Sequence, residues 1–309
     1  MRGVLQRVLP GSSPGLVDCV TSRRQNPSRR SGPSPRGVLS HPSGTVGGMT
    51  FLPSPTAALP SGATIPLLGF GTWQLQGNTA HAATAAALAV GYRHLDTATV
   101  YGNEAQVGAA LRESGVSREE VFVTSKIPPS EAPRARDVLE ESLEALGIDA
   151  LDLWLVHWTE DGADPALWAA LVQAQADGLV RDVGVSNHSL AQVAELERAT
   201  GVRAAANQIK WSPYLHDATL LDAHRELGVL VEGYSGLKGG TLEDPVVREV
   251  AARVERTPAQ VLIAWQLAHG LVVIPKSTDA GRIRENGEAG ALTLSPQDVA
   301  ALDALAGTR

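Results

Sequence analysis

The chain has 309 residues, 43 % of them hydrophobic, which is enough to bury one sizeable core, and a single α/β barrel reaches this length without division. No apolar run approaches the about 18 residues that span a bilayer, and the one cysteine, Cys19, excludes both a disulfide framework within the chain and a four-cysteine zinc site, in keeping with a reducing compartment. The net charge of −7 hides an asymmetry: positions 1–48 hold seven arginines against one aspartate, so they carry +6 and the remainder −13, a body too acidic to track a phosphate backbone.

Positions 1–48 are rich in Ser, Pro, Gly and Arg, lack aromatic residues and show no sustained period of 2 or 3.6. They read as a disordered extension. Their acid-poor, Arg-rich character resembles an organellar transit peptide, but the only methionine besides Met1 is Met49, where ordered composition begins, so translation starting at Met49 is the competing reading. The expected folded domain is 49–309. At its start, Leu59-Pro60-Ser61-Gly62-Ala63-Thr64-Ile65-Pro66 reads as a β-hairpin that caps a barrel floor.

From Leu67 onward, short apolar runs alternate with helical patterns, the mark of βα units and a parallel sheet. Strands are expected over 67–71, 93–97, 121–125, 151–157, 180–186, 204–209, 229–234 and 271–275. Helices are expected over segments such as 80–90, 132–146, 165–177, 190–199 and 218–227. Eight units predict closure into a (β/α)₈ TIM barrel. A doubly wound open sheet is the rival, but Gly69-Phe70-Gly71-Thr72-Trp73-Gln74 only begins like the glycine-rich turn that fold requires.

In a barrel the reactive mouth lies at the carboxyl ends of the strands, so the residues on which the apolar runs stop are informative. They are Asp96, Lys126, His157, Ser186-Asn187, Gln208, Tyr234 and Lys276. Any one could merely end a strand or cap a helix; the joint pattern points seven polar ends at one rim. Asp96, Lys126 and His157 there, with Tyr101, make a proton-donating site. An ammonium stabilises a phenolate, a carboxylate holds the ammonium, and an imidazole orients a carbonyl. Side chains supply no hydride, so carbonyl reduction at this site implies a nicotinamide cofactor. A metal held by Asp96 and His157 is disfavoured, because Lys126 would repel the cation and no metal-ligand spacing is present.

Gly69-Phe70-Gly71-Thr72-Trp73 and Arg93-His94-Leu95-Asp96-Thr97-Ala98, running to Tyr101-Gly102-Asn103-Glu104, resemble the aldo-keto reductase signature. Thr124-Ser125-Lys126, Leu155-Val156-His157-Trp158, Gly184-Val185-Ser186-Asn187, Asn207-Gln208, Tyr234-Ser235 and Ile274-Pro275-Lys276-Ser277 follow in the family's order, in the manner of the prokaryotic 2,5-diketogluconate reductase-like members. The resemblance implies Tyr101 as proton donor, Lys126 and Asp96 as its partners, and His157 as carbonyl orienter. It implies a nicotinamide site that includes Gly71, Thr72 and Asp96. In that site Ser186, Asn187 and Gln208 hold the carboxamide, Tyr234 stacks on the ring, and Ser235 and Leu237 flank the pyrophosphate. Lys276, Ser277, Thr278 and Arg282 resemble a 2′-phosphate clamp, which favours NADPH over NADH, with Glu285 and Asn286 near the adenine. Trp73, Tyr101, His157 and Trp158 would line the substrate pocket, whereas Trp154, Trp168 and Trp265 read as core and Trp211 has no assigned place.

Departures concern substrate. Lys210, Trp211 and Ser212 stand before Pro213-Tyr214 where the family often has an acidic residue and a histidine, and Gly236 stands where proline is common. Only a short helix over 295–305 is expected after Leu294, so the long C-terminal loop that closes over substrate in some members is expected to be absent and the pocket open. The expectation is a cytoplasmic, monomeric reductase of a small-molecule carbonyl substrate, with no nucleic-acid, membrane or metal partner. A non-catalytic barrel or a metal-dependent enzyme of another class are the alternatives.

Overall fold

The computed structural model describes residues 45–46, 49–50, 54–159 and 162–308, all within the unit Ser40–Arg309. The expectation of a disordered extension over 1–48 therefore lies, apart from Thr45 and Val46, outside the described residues. Two short antiparallel pairs come first: β1 (Thr45–Val46) with β2 (Met49–Thr50), and β3 (Thr56–Ala58) with β4 (Thr64–Pro66). Eight parallel strands follow in sequential spatial order. They are β5 (Phe70–Gly71), β6 (His94–Asp96), β7 (Phe122–Ile127), β8 (Leu151–Val156), β9 (Val180–Ser186), β10 (Ala206–Lys210), β11 (Leu230–Tyr234) and β12 (Val272–Val273). The helices between and after them are α1 (Gly77–Val90), α2 (Glu104–Glu113), α3 (Ala135–Leu146), α4 (Pro165–Ala176), α5 (Leu190–Thr200), α6 (Ala218–Leu227), α7 (Pro245–Arg253), α8 (Pro258–Ala268), α9 (Ala280–Glu288) and α10 (Pro296–Asp303).

The sheet closes on itself. Leu68 bridges Val273 in parallel, the Gly69 N–H donates to the Val273 carbonyl at 2.8 Å, and the Gly71 N–H donates to Pro275 at 3.1 Å. The two strands at this seam are shorter than their apolar runs predict, for a local reason. A Cβ on Gly71 would lie 2.7 Å from the Ile274 carbonyl oxygen, so the chains pass too close for ordinary side chains, and Pro275 brings no N–H to extend the ladder.

Alternation along each strand divides the core into two shells. Leu153 and Leu155 of β8 join Leu59, Ile65, Leu67, Phe122, Ala206 and Val272 in one cluster. Trp154 and Val156 of the same strand instead pack with Trp168, Leu139 and Val193 from the helices. The hairpin brings Leu59 and Ile65 into the first cluster, and its turn is pinned to β9 by the Ser61 N–H donating to Asp182 Oδ1 at 3.1 Å and by a short bond from Ser61 Oγ to the same carboxylate. It thus plugs the amino-terminal end of the barrel, as the Ser-Gly turn suggests. Helix starts are set by side-chain caps: Ser189 with Gln192 forms a capping box at α5, Thr257 with Gln260 another at α8, and Asp279 caps α9. The α5 and α9 caps stand directly after strand-end residues of the mouth, so they fix where those residues point.

Candidate active site

Three features set the geometry. Gly102, at φ +64°, ends the tight turn Thr99–Tyr101 and returns the chain into α2. The side chain of Asn103, fully buried, donates to the Thr72 and Leu75 carbonyls, both at 2.9 Å, and accepts from Thr97 Oγ1 at 2.8 Å. The Thr72 hydroxyl donates to the Asp96 carbonyl at 2.9 Å. These bonds tie the loops after β5 and β6 together and hold Tyr101 over the end of β7.

Lys126, with no solvent exposure, points from β7 into this junction. Its Nζ donates to Asp96 Oδ2 at 2.7 Å, to the Thr97 carbonyl at 2.7 Å and to the Tyr101 hydroxyl at 3.4 Å. Burial, the largest single influence, pulls the lysine pKa down, but the Asp96 carboxylate together with Tyr101 and Glu232 more than offsets it and the net shift is upward, so Lys126 stays charged. For Tyr101 burial dominates and pushes the phenol above its ordinary value, while Lys126 pulls in the opposite direction. The resting phenol is therefore protonated, and the ammonium lowers the cost of ionising it. Next to it, the His157 ring packs edge-on against Tyr101 with centroids 5.5 Å apart and tilts on Trp158 at 4.4 Å. Burial and the nearby Lys126 charge depress His157 to about 3, leaving a neutral imidazole.

A polar chain continues round the rim. Gln208 Nε2 donates to Asp96 Oδ2 at 2.9 Å, Ser186 Oγ to the Gln208 carbonyl at 2.8 Å, Asn187 Nδ2 to Ser186 Oγ at 3.0 Å and the Tyr234 hydroxyl to Asn187 Oδ1 at 2.9 Å. Asn187 and Ser235 reach these positions with left-handed backbones, φ +57° and +61°, and Gln74 on the loop after β5 has φ +62°.

The rim opens on a cleft of about 700 Å³. Gly71, Trp73, Asp96, Tyr101, His157, Trp158, Ser186, Asn187, Gln208, Tyr234, Ser235, Leu237, Lys276, Ser277, Arg282, Glu285 and Asn286 all border it. Lys126 and Thr72 stand behind its wall, both fully buried. At one end Lys276 and Lys238 lie near enough that burial and the Lys276 charge depress Lys238, and Ser277 Oγ accepts from the Asp279 N–H at 3.1 Å beside the start of α9. Two neighbouring cations beside a helix N-terminus suit a phosphate.

Val100 and Lys238 border the cleft although no signature names them. Val100 and Trp73, 50 % and 46 % exposed, make an apolar lip, and Lys238 Nζ sits 4.1 Å from the Trp73 ring centroid. Glu104, part of the signature, takes a supporting place: its carboxylate accepts from Ser125 at 2.6 Å and Ser142 at 3.1 Å between β7 and α3. Trp211 lies in the core with Val261 and Trp265, away from the cleft. Glu232 on β11 has no solvent exposure, and its carboxylate lies beside the Gln208 side chain and the Asp96 and Lys126 charges. An acidic residue inside the apolar run Leu230-Val231-Glu232-Gly233 is a signal the sequence does carry.

Burial, reinforced by the Asp96 charge, pushes Glu232 up to about 8. The folded protein then holds a proton that the unfolded chain loses near the ordinary value of 4.5. Its contribution to stability is complete below pH 4.5 and is lost as pH rises towards 8. Urea unfolding at pH 5.5, 6.5 and 7.5 is expected to show wild-type stability falling, relative to Glu232→Gln, by about 1.4 kcal/mol per pH unit at most. Parallel pH profiles for the two proteins would refute the assignment.

Comparison with known proteins agrees with this geometry. The profile of the Aldo/keto reductase family matches residues 67–306. An aldo-keto reductase of Mycolicibacterium smegmatis is 38 % identical over 257 residues, covering 82 % of this chain and 94 % of that protein. The methylglyoxal reductase DkgA of Salmonella typhimurium is 40 % identical over 233 residues, covering 74 % and 85 %. The crystal structure of an aldo/keto reductase from Brucella melitensis superposes with a TM-score of 0.78 at 36 % identity, covering 82 % of this chain and 99 % of that one. The chain belongs to the aldo/keto reductase family, oxidoreductases that act on small-molecule carbonyl compounds with a nicotinamide cofactor. Among the described residues no helix is long and apolar enough to cross a membrane.

Proposed function

We propose that the protein reduces aldehydes and ketones to alcohols with NADPH, and that Tyr101 donates the proton. The observation that carries this reading is the fully buried Lys126 ammonium shared between the Asp96 carboxylate and the Tyr101 hydroxyl. NADPH, when bound, supplies hydride to the carbonyl carbon. The phenol of Tyr101 and the neutral His157 imidazole face the same apolar lip, where they can hold the carbonyl oxygen, and the Tyr101 proton passes to that oxygen as negative charge develops. Lys126, kept charged by Asp96, steadies the phenolate left behind.

Ser186, Asn187 and Gln208 would hold the nicotinamide amide, Tyr234 would stack on the ring, and Gly71 would leave room beside Asp96 and Thr72. Ser235 and Leu237 would flank the pyrophosphate, with Glu285 and Asn286 at the adenine end. Lys276, Ser277 and Arg282 would take the 2′-phosphate. A monomer is the expected working unit, and the lone Cys19 fits a cytoplasmic setting. Trp73, Val100 and Trp158 give the mouth an apolar wall, and the 40 % identity to a methylglyoxal reductase favours short carbonyl substrates such as 2-oxoaldehydes.

The test is loss of NADPH absorbance against a panel of aldehydes, ketones and keto-sugars, with NADH as control. Turnover of short aldehydes with NADPH is expected, and a preference for NADH would remove the phosphate argument. Removing one charged hydrogen bond costs about 1.5–3 kcal/mol, or about 10–100-fold. Lys276→Ala and Arg282→Ala should therefore each raise KM for NADPH by about that factor and leave KM for NADH nearly unchanged. Equal losses for both cofactors would show that these cations bind something other than the 2′-phosphate.

A further inference from the structure

Away from the cleft, three residues from distant parts of the sequence converge: His216 after the turn Pro213–Leu215, His269 capping the end of α8, and Asp303, the last residue of α10. We propose that they form a binding site for a borderline divalent cation, with Zn²⁺ as the probe of choice, which ties the C-terminal helix to the barrel. One ligand atom from each side chain lies within 4.8 Å of the other two. His269 Nε2 is 2.8 Å and His216 Nε2 3.7 Å from Asp303 Oδ1, and the two imidazole rings lie 4.7 Å apart. Ligand bonds of about 2.0–2.1 Å in tetrahedral array put neighbouring ligand atoms about 3.3 Å apart, so each histidine–carboxylate distance needs a shift of about half an ångström and the two imidazole nitrogens at most about 1.5 Å. Two imidazoles and one carboxylate are a donor set that zinc accepts, with water in the fourth position.

A hydrogen-bonded His269–Asp303 pair alone would explain two of these side chains. It does not explain His216. That side chain is only 8 % exposed, its Nδ1 is buried with no partner among the described residues, and its Nε2 stands beyond hydrogen-bond reach of the carboxylate it faces. The ring is held by packing, edge-on between Trp211 at 5.8 Å and Trp265 at 5.7 Å. A cation at Nε2 would satisfy the nitrogen that faces Asp303. Trp265 supplies the outer support, its Nε1 donating to Asp303 Oδ1 at 2.7 Å, as a group that orients a metal-binding carboxylate does. His269 and Asp303, 16 % and 29 % exposed, leave a path for the ion. Positions 216, 269 and 303 share no linear spacing, which is why the sequence shows no metal motif.

The test is calorimetric titration of chelator-treated, full-length protein with ZnCl₂ near neutral pH, with thermal unfolding in parallel. One saturable equivalent per chain and a raised Tm are expected. His216→Gln and His269→Gln should each weaken binding by at least the about 10–100-fold that loss of an outer partner costs, and should remove the rise in Tm. His157→Gln, at the barrel mouth, should bind zinc as the wild type does. No saturable uptake at sub-millimolar zinc, uptake indifferent to residues 216 and 269, or loss in His157→Gln would each overturn the proposal. Should the histidine variants fail to fold, anomalous scattering from zinc-soaked wild-type crystals decides: a peak between the three side chains supports the site, and its absence there refutes it.

Discussion

Tyr101→Phe is expected to lower kcat for carbonyl reduction by about 10²–10⁴-fold, the range that a positioned general acid supplies. The substitution removes one oxygen. Among the described residues that oxygen is bonded only to Lys126, at 3.4 Å, so the fold loses little. The ring contact with His157 and the backbone bond from Gln76 Nε2 to the Tyr101 carbonyl, at 2.7 Å, both survive. NADPH affinity, followed by quenching of protein fluorescence, should therefore stay close to wild type while turnover collapses, which separates a chemical defect from a binding one. A variant that still reduces short aldehydes at the wild-type rate would mean that the proton comes from elsewhere, with the His157 imidazole the next group to examine. Because burial keeps the phenol protonated, the alcohol-oxidising direction, which needs phenolate, should gain more from raised pH than reduction does.

Lys126→Met should be costly twice over. It removes the charge that steadies the phenolate, and it strands Asp96, 2 % exposed, with Gln208 as its remaining side-chain donor. Breaking a buried pair from one side costs about 3–5 kcal/mol. Adding Asp96→Asn to Lys126→Met removes the stranded charge and is expected to restore much of the stability but none of the activity. Chemical unfolding of the four proteins in the cycle measures the coupling directly. If the double variant is as unstable as the sum of the single ones, the two groups do not act as a pair. Any shortfall in stability should be matched by no change in the zinc-dependent behaviour of the distant histidine cluster.

The barrel was legible because a parallel strand buried on both faces is a short apolar run, and eight such runs alternate with helical segments. The mouth was legible for a related reason: Asp96, His157, Gln208 and Tyr234 interrupt apolar runs at their carboxyl ends, and a barrel brings those ends together. What escaped depends on neighbours that no local pattern names. Thr72 sits in a glycine-rich signature yet is fully buried behind the cleft wall, its N–H and its hydroxyl both donating to the Asp96 carbonyl. Lys238 lies on a loop and gains its place from Trp73, 165 positions earlier. Trp211 looked like a departure in the substrate region, but the chain turns it inward against Val261 and Trp265. Glu232 stands in the sequence as an acid in an apolar strand; its burial beside Asp96, Lys126 and Gln208 needed the packed interior to be seen.

The left-handed backbones of Gln74, Asn187 and Ser235 bear on how this scaffold can be altered. Glycine would adopt all three conformations more cheaply, and Asn is the only one of the three that tolerates them well. A chain tuned for heat resistance alone would relax these positions. Keeping side chains there stores conformational tension where donors and acceptors must stand ready before any ligand arrives; Glu255, φ +54° between α7 and α8, shares that backbone without bordering the cleft, so its side chain is the one to relax when only robustness is wanted.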